Sequence, residues 1–430
     1  MKRKALFVTT RLPFQETDGR RRLLFNYCRI FFELGYEVRV ISSRDDEGMA
    51  LKRPDFISNA KCGRSDVLLL RLFRVCCALL TLKKIPFQVV VAFSRKVQKL
   101  VDDEISNWLP DIVICDMVRS VPYVTKYRHS VPTIANLDDL LSIRYERQSR
   151  LRNPSDFWGG KKSGWMLSVP LVGQVFKWIL RSETRRLRDY EKWVASQFSQ
   201  VTLVSETEVY HLKRVSGVDR VFCWSMGVDV DWNVTAGSCG RPSVSFLGVM
   251  DAPHNLAAVR YFVEEIWPLV LRELPNSEFR VIGKGSDGNV AAEFSSVPNI
   301  VFVGQVDDVG GELRKSDVFV APLVFGSGIK TKVLEAMARG LPVVATSVAL
   351  EGIDATDGVE LFCRDAAQDF ASALVGLLRD SAQRQRIGQA GREFVSNRYG
   401  WNVVKRLIQE STSLLVGGAE DFENEAAGRA

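Results

Sequence analysis

Residues 317–346 read DVFVAPLVFGSGIKTKVLEAMARGLPVVAT: a strand, a glycine-containing loop, a helix and a second strand. That order belongs to parallel α/β sheets and leaves few other architectures open. The loop Phe325-Gly326-Ser327-Gly328-Ile329-Lys330 opens a helix that carries Lys332 and Glu335. A helix start presents unpaired N–H groups and partial positive charge, which suits a phosphate. The glycines let an anion approach the backbone, and Glu335 is placed to accept hydrogen bonds from ribose hydroxyls. The segment therefore reads as a nucleoside diphosphate site with a sugar pointing into a cleft. Many parallel sheets contain such units and bind nothing, so the rest of the chain has to carry the assignment.

The chain has 430 residues, enough for two domains of roughly 150 to 200 residues each. Its hydrophobic content of 46% is that of a folded globular protein. The start, MKRKALFVTTRLP, has too short an apolar run for a secretory leader and reads as a first core strand. The most apolar stretches, Val67 to Leu82 and Gln88 to Phe93, are broken by Arg71, Arg74, Lys83 and Lys84. Neither reaches the roughly 18 to 20 apolar residues that span a bilayer. Eight cysteines without a CxxC pair, and three histidines, argue against a zinc site. Reduced thiols and a cytoplasmic location are expected.

The net charge of +7 is 58 basic minus 51 acidic residues. Basic blocks fall in the first half, at Arg20-Arg21-Arg22, Lys83-Lys84, Lys161-Lys162 and Arg181 to Arg188. They lie beside apolar residues rather than among stacking aromatics, which disfavours nucleic acid. A solvated face and an anionic membrane surface both fit, and the apolar neighbours favour the membrane.

Along the chain, strands are expected at Ala5–Thr10, Tyr36–Ser42, Val67–Leu72, Ile112–Asp116, Thr133–Leu137 and Val201–Ser205. Helices are expected at Arg20–Glu33, Ser94–Leu109 and Trp178–Phe198. Gly19 sits at the start of the first helix, at the carboxyl edge of a βαβ unit. Leu141 to Arg181 departs from the pattern and reads as an insertion, fitting a core helix and a membrane contact equally. Gly237 to Pro242 is a turn-rich linker. A second α/β series follows: strands at Val244–Leu247, Glu278–Ile282, Ile300–Val303, Val318–Ala321, Val343–Ala345 and Glu360–Cys363. Helices are expected at Leu256–Glu273 and Val309–Lys315, and throughout Ala366–Leu415, before an acidic tail that should fray. The domains are expected to span 1–225, with the insertion near 141–181, and 226–400, followed by a helix and tail at 401–430.

Several motifs occur in order: Phe246-Leu247-Gly248-Val249-Met250-Asp251, Asn255 opening a helix that ends Glu265-Ile266-Trp267-Pro268, Phe279 to Gly285, Phe302-Val303-Gly304-Gln305-Val306, then the segment 317–346. Pro242 to Tyr399 resembles the C-terminal domain of glycosyltransferase family 4, retaining enzymes of the GT-B fold. Met226-Gly227-Val228-Asp229 is similar to the family's hinge strand. Arg11-Leu12-Pro13, Asp18-Gly19-Arg20 and Leu34 to Val38 carry a fainter likeness upstream. The resemblance implies an α/β protein with two Rossmann-like parallel-sheet domains facing across a cleft. It also implies a retaining, metal-independent hexosyl transfer from a nucleotide-sugar donor, which is a substrate rather than a cofactor. The acceptor is expected to be a glycan or polyprenyl-linked glycan of surface polysaccharide synthesis. Its lipid part, and a place at the inner face of the cell membrane, rest on the basic and apolar patches at Leu68 to Lys84 and Lys161 to Arg188.

By the same resemblance, Glu335 holds the donor ribose and Lys332 neutralises the diphosphate. Gly328 and Ile329 offer N–H groups to the distal phosphate, and Gly19 does so from the first domain. The resemblance is broken at Ser327, where many relatives place a glutamate eight residues before the second acid. Asp251 and His254 stand where many carry an Arg and Lys pair. Lys330 joins Lys332 as a candidate to take over the phosphate charge. For the acceptor hydroxyl, the acidic pair ending Thr133 to Leu140 offers Asp138 first and Asp139 second, either as a base or as a helix cap. Asp116 is a further strand-edge acid without an assigned purpose, and His129 is expected on the surface. The competing functions are a transferase-like binding protein and a nucleotide-sugar 2-epimerase, the latter disfavoured by so few histidines.

Overall fold

The computed structural model describes residues 2–14, 19–43, 52–63, 66, 85–149, 170–232, 240–326 and 328–427. They fall into two units. The first contains residues up to 149, 178–225 and those from 404 onward; the second contains 226–403.

In the first unit a run without polar alternation makes β1 (Arg3–Thr9), whose Ala5, Leu6, Phe7 and Val8 have no exposed surface. Such a strand needs cover on both faces, which a parallel sheet flanked by helices provides. The other strands are β2 (Tyr36–Ser42), β3 (Ile57–Cys62), β4 (Ile112–Asp116), β5 (Thr133–Asp138), β6 (Gln200–Leu203) and β7 (Val221–Cys223). All pair in parallel, in the order β3-β2-β1-β4-β5-β6-β7. The chain first builds outward from β1 to one side, then returns to place β4 on the other. The crevice above the carboxyl ends of β1 and β4 is therefore the topological switch point of this sheet.

Helix α1 (Gly19–Glu33) covers one face through Leu23, Leu24, Tyr27, Ile30 and Phe31, with Phe31 edge-on to Phe7 at 5.2 Å. Two further helices precede β4: α2 (Phe87–Ala92) and α3 (Arg95–Trp108). Helices α4 (Leu141–Ser149), α5 (Pro170–Gln197) and α6 (Glu206–Ser216) follow. The Trp224 ring is fully buried, and its Nε1 donates to Ser411 Oγ at 2.9 Å, which ties the C-terminal helix of the chain to this unit.

The second unit has β8 (Ser243–Leu247), β9 (Glu278–Ile282), β10 (Ile300–Gly304), β11 (Val318–Ala321), β12 (Val343–Ala345) and β13 (Phe362–Cys363). These also run parallel, in the order β10-β9-β8-β11-β12-β13. The same logic puts its switch point between β8 and β11. Two backbone turns touch there: a Cβ on Gly283, whose φ is +131°, would lie 2.2 Å from the Gly248 carbonyl oxygen. Helix α9 (Val309–Leu313) precedes β11 and helix α10 (Thr331–Ala338) follows it. Helices α11 (Ala367–Arg379), α12 (Ser381–Tyr399) and α13 (Trp401–Ala427) end the chain.

Four expectations change. The helix expected over Leu256–Glu273 is broken into α7 (Pro253–Tyr261), a single wide turn at Phe262–Ile266 and α8 (Trp267–Glu273). Pro268 explains the break, because its missing N–H and its ring disrupt the preceding turn. The strand β3 was not anticipated, since ISNAKC has no apolar pattern and lies at a sheet edge. The strand expected at Glu360–Cys363 contracts to its last two residues. Both flanks of the region 141–181 are helical, whereas its middle lies outside the described residues. Outside them too are Val67–Leu72, the first half of the linker from Gly237, and Ser327.

Candidate functional site

Glycine-containing turns at the carboxyl ends of β8 and β11 bring the candidate donor residues of the second unit together. Gly328 adopts a left-handed backbone (φ +73°), and Ile329 packs its side chain against the core. Lys330 sits at the cap position of α10 with 7% of its surface exposed, and its Nζ donates to the Gly328 carbonyl at 2.6 Å. Lys332 and Glu335 follow on α10 one turn apart, both half-buried.

Lys332 is the unusual group. Its ammonium donates to Asn255 Oδ1 and lies 4.5 Å from the centroid of the Phe246 ring. Among the described residues, no carboxylate forms an ion pair with it. The Asn255 amide is pinned in turn, because its Nδ2 donates to the Val249 carbonyl at 2.9 Å. Space for the ammonium depends on residue 248 having no side chain: a Cβ there would come within 3.0 Å of Nζ. Burial pulls the Lys332 amine down to about 7, repulsion from Lys330 adds to this, and Glu335 opposes it. His254, beside both lysines, is pushed down to about 4 by burial and then by their charge. It is a neutral imidazole at physiological pH. Two lysines, a neutral histidine and a helix start thus gather at this edge, with Glu335 as the acid that acts on Lys332. Sequence reasoning identified Asn255 only as the start of a helix; its contact with Lys332 spans 77 positions and has no local signature.

The acidic pair of the first unit is split in its surroundings. Asp138 ends β5 in a left-handed backbone (φ +72°), at a register shift against β6. Its Oδ1 forms an ion pair with Arg20 Nη1 at 2.6 Å, and its side chain keeps 20% of its surface exposed. Asp139 is buried against Arg144, and burial raises its carboxyl to about 6 against the pull of that arginine. Of the two, Asp138 is the accessible one. Asp116 is fully buried at the end of β4, where it also meets Arg20. Burial raises it to about 6, opposed first by the Arg20 charge. Gly19, the first residue of α1, is exposed beside Arg20, and His129 is exposed as expected. The arginine is the group that sequence reasoning missed, since it stood in a basic block and in the faint upstream likeness without a role of its own.

Residues 241–380 match the family described as glycosyl transferases group 1. That match lies wholly within the second unit. Among curated proteins, the phosphatidyl-myo-inositol mannosyltransferase of Mycobacterium leprae is 34% identical over 193 residues, 42% of this chain and 50% of that protein. The sulfoquinovosyl transferase SQD2 of Arabidopsis thaliana is 24% identical over 277 residues, covering 57% of this chain and 52% of that one. The chain spans about half the length of the curated relatives it matches. Among solved structures, the sucrose-phosphate synthase of Thermosynechococcus elongatus superposes with a TM-score of 0.66 at 14% identity, covering 97% of this chain and all of that one. Anabaena HepE in complex with UDP superposes at 0.63 and 13% identity, covering 95% and 99%. These likenesses show the fold, two Rossmann-like parallel-sheet domains of the GT-B class. The order of motifs from Phe246 to Thr346 had implied it.

The Lys332 arrangement generates a test. An amine whose folded pKa is depressed binds fewer protons when folded than when unfolded between pH 7 and 10.5, so stability rises with pH through that window. The charged form, complete below pH 7, is the costly one. Lys332→Met is therefore expected to raise the melting temperature by about 5 °C at neutral pH. The gain should shrink as pH climbs toward 10.5. A lower melting temperature for Lys332→Met would show that the lysine serves the fold instead.

Proposed function

We propose that the protein transfers a sugar, with retention, from a nucleotide-sugar to a hydroxyl of a glycan or lipid-linked glycan. The observation that carries this is Lys332: a desolvated ammonium without a carboxylate partner among the described residues, in the first turn of the helix that follows β11. Proteins seldom bury an unpaired charge unless a ligand supplies the counter-charge. A diphosphate does so, and Lys330, the N–H groups at Gly328 and Ile329, and Ser327 complete its binding. Glu335 accepts hydrogen bonds from the ribose hydroxyls. The relatives named for mannosyl and sulfoquinovosyl transfer support this donor class, as do the HepE structures that hold UDP and UDP-glucose.

In the transfer, the acceptor oxygen bonds to the anomeric carbon as that carbon's bond to the diphosphate breaks. The nucleoside diphosphate departs with the electron pair. Asp138 orders the acceptor hydroxyl and takes its proton, and Asp139 is the second candidate for that role. Gly19 presents its helix start to a phosphate. Lysine charge and N–H dipoles stabilise the leaving group, so this scheme calls for no metal. A protein that releases nucleoside diphosphate from a nucleotide-sugar panel, with turnover at least about 100-fold lower in Glu335→Ala, supports the reading. Nucleotide binding without any turnover in the wild type would favour a binding protein instead.

The acceptor side points to an anionic membrane surface. On α5, Trp178 is 65% exposed and Ile179 43%, with exposed Arg181, Arg185 and Arg188 along the same helix. No described helix is long and apolar enough to cross a membrane, so this reading is one of surface contact. The stretch Leu68 to Lys84 lies outside the described residues. The wild type should float with phosphatidylglycerol-containing vesicles, and Trp178→Glu should weaken flotation several-fold. A wild type left wholly in the soluble fraction would contradict surface binding.

A further inference from the structure

We propose that Arg20 is a positioning residue: gripped by Asp116 and Asp138, it fixes the Asp138 carboxylate used on the acceptor hydroxyl. This rests on the transfer reading given above and adds the residues that aim its carboxylate.

The three residues come from three neighbouring strands. Arg20 stands in the first turn of α1, after β1, while Asp116 ends β4 and Asp138 ends β5. All lie at the switch-point end of the sheet. One guanidinium serves both acids, Nη2 meeting Asp116 and Nη1 meeting Asp138. Burial opposes the arginine charge, but the two carboxylates outweigh it and raise its pKa.

Asp138 needs such a hold. Its backbone is left-handed in a residue with a side chain, at the bulge between β5 and β6. Sparse conformations of this kind persist only where the surroundings fix them. The main chain is fixed by Val204 N–H, which donates to the Asp138 carbonyl at 2.9 Å. The side chain is fixed by Arg20.

Asp116 has no exposed surface, so it cannot touch an acceptor. Its position is set from further along the sheet: Thr202 Oγ1 donates to Asn136 Oδ1 at 3.1 Å, and Asn136 Nδ2 donates to Asp116 Oδ1 at 3.2 Å. The orientation of Asp116 is thereby passed to Arg20 and on to Asp138. A planar two-pronged cation is required, since a lysine carries the charge on one point and cannot face both acids in this way.

The test uses the full-length protein and nucleotide-sugar hydrolysis, in which water takes the place of the acceptor hydroxyl. UDP-glucose and GDP-mannose are the probes. Arg20→Lys and Arg20→Ala should each lose at least about tenfold in kcat, while the donor KM stays within about twofold. Millimolar guanidinium should restore part of the Arg20→Ala rate, which a purely structural role would not allow. Asp116→Asn, nearly isosteric, guards against misfolding and should lose several-fold in kcat with an unchanged melting temperature. A folded Arg20→Lys or Asp116→Asn with wild-type kcat overturns the positioning role alone. A wild type that hydrolyses neither probe overturns the transfer reading, and this role with it.

Discussion

Holding a cation out of water is costly unless something negative meets it, and each of the two units does so at its own switch point. In the first, the Arg20 guanidinium is buried but shared by Asp116 and Asp138, so its charge is spent inside the protein. In the second, Lys332 meets an amide oxygen and an aromatic face, and among the described residues no carboxylate forms an ion pair with it. This asymmetry separates the two edges chemically. One presents a partly exposed carboxylate, and the other two lysines and a helix start. The proposed division of acceptor and donor between the units rests on that difference in charge.

The surrounding sheet makes both arrangements affordable. Parallel strands buried on both faces form stiff platforms, and their carboxyl ends deliver loops from distant parts of the sequence to one edge. Gly248 and Gly283 stack backbone on backbone at the end of β8 and β9, which keeps space clear for the Lys332 ammonium. Asn255, locked by the Val249 carbonyl, aims its oxygen at that ammonium. Around Asp138, buried acids reinforce the loop. Glu208 accepts from Leu140 N–H at 3.1 Å and Glu191 from Ser142 N–H at 3.0 Å, and burial raises them to about 7 and about 8 respectively. The helix that follows Asp138 therefore begins on acids whose ionisation burial opposes.

Much of this was legible in the sequence, for a physical reason. Ile112–Asp116 and Val318–Ala321 are nearly continuous apolar runs, Tyr36–Ser42 and Glu278–Ile282 alternate apolar with charged residues, and the limits of all four match the structure. The strand Ile57–Cys62 was invisible because an edge strand needs no apolar pattern, and the helix after Asn255 looked continuous because periodicity does not register what Pro268 does to a turn. The site shows the same split. The loop from Gly326, with Lys332 and Glu335, is local chemistry and could be read directly. The contacts that give those residues meaning, Lys332 with Asn255 and Arg20 with Asp116, join positions 77 and 96 residues apart and exist only once the sheets have formed.

The central claim, that Lys332 awaits the charge of a diphosphate, is tested most directly by proton uptake on binding. At pH 8 its amine is largely neutral in the free protein, whereas a bound diphosphate would favour the ammonium. Calorimetric titration with UDP and GDP, in buffers of differing ionisation enthalpy, should therefore show uptake of nearly one proton. That uptake should vanish in Lys332→Met. Binding without proton uptake, or uptake that persists in Lys332→Met, would contradict the account.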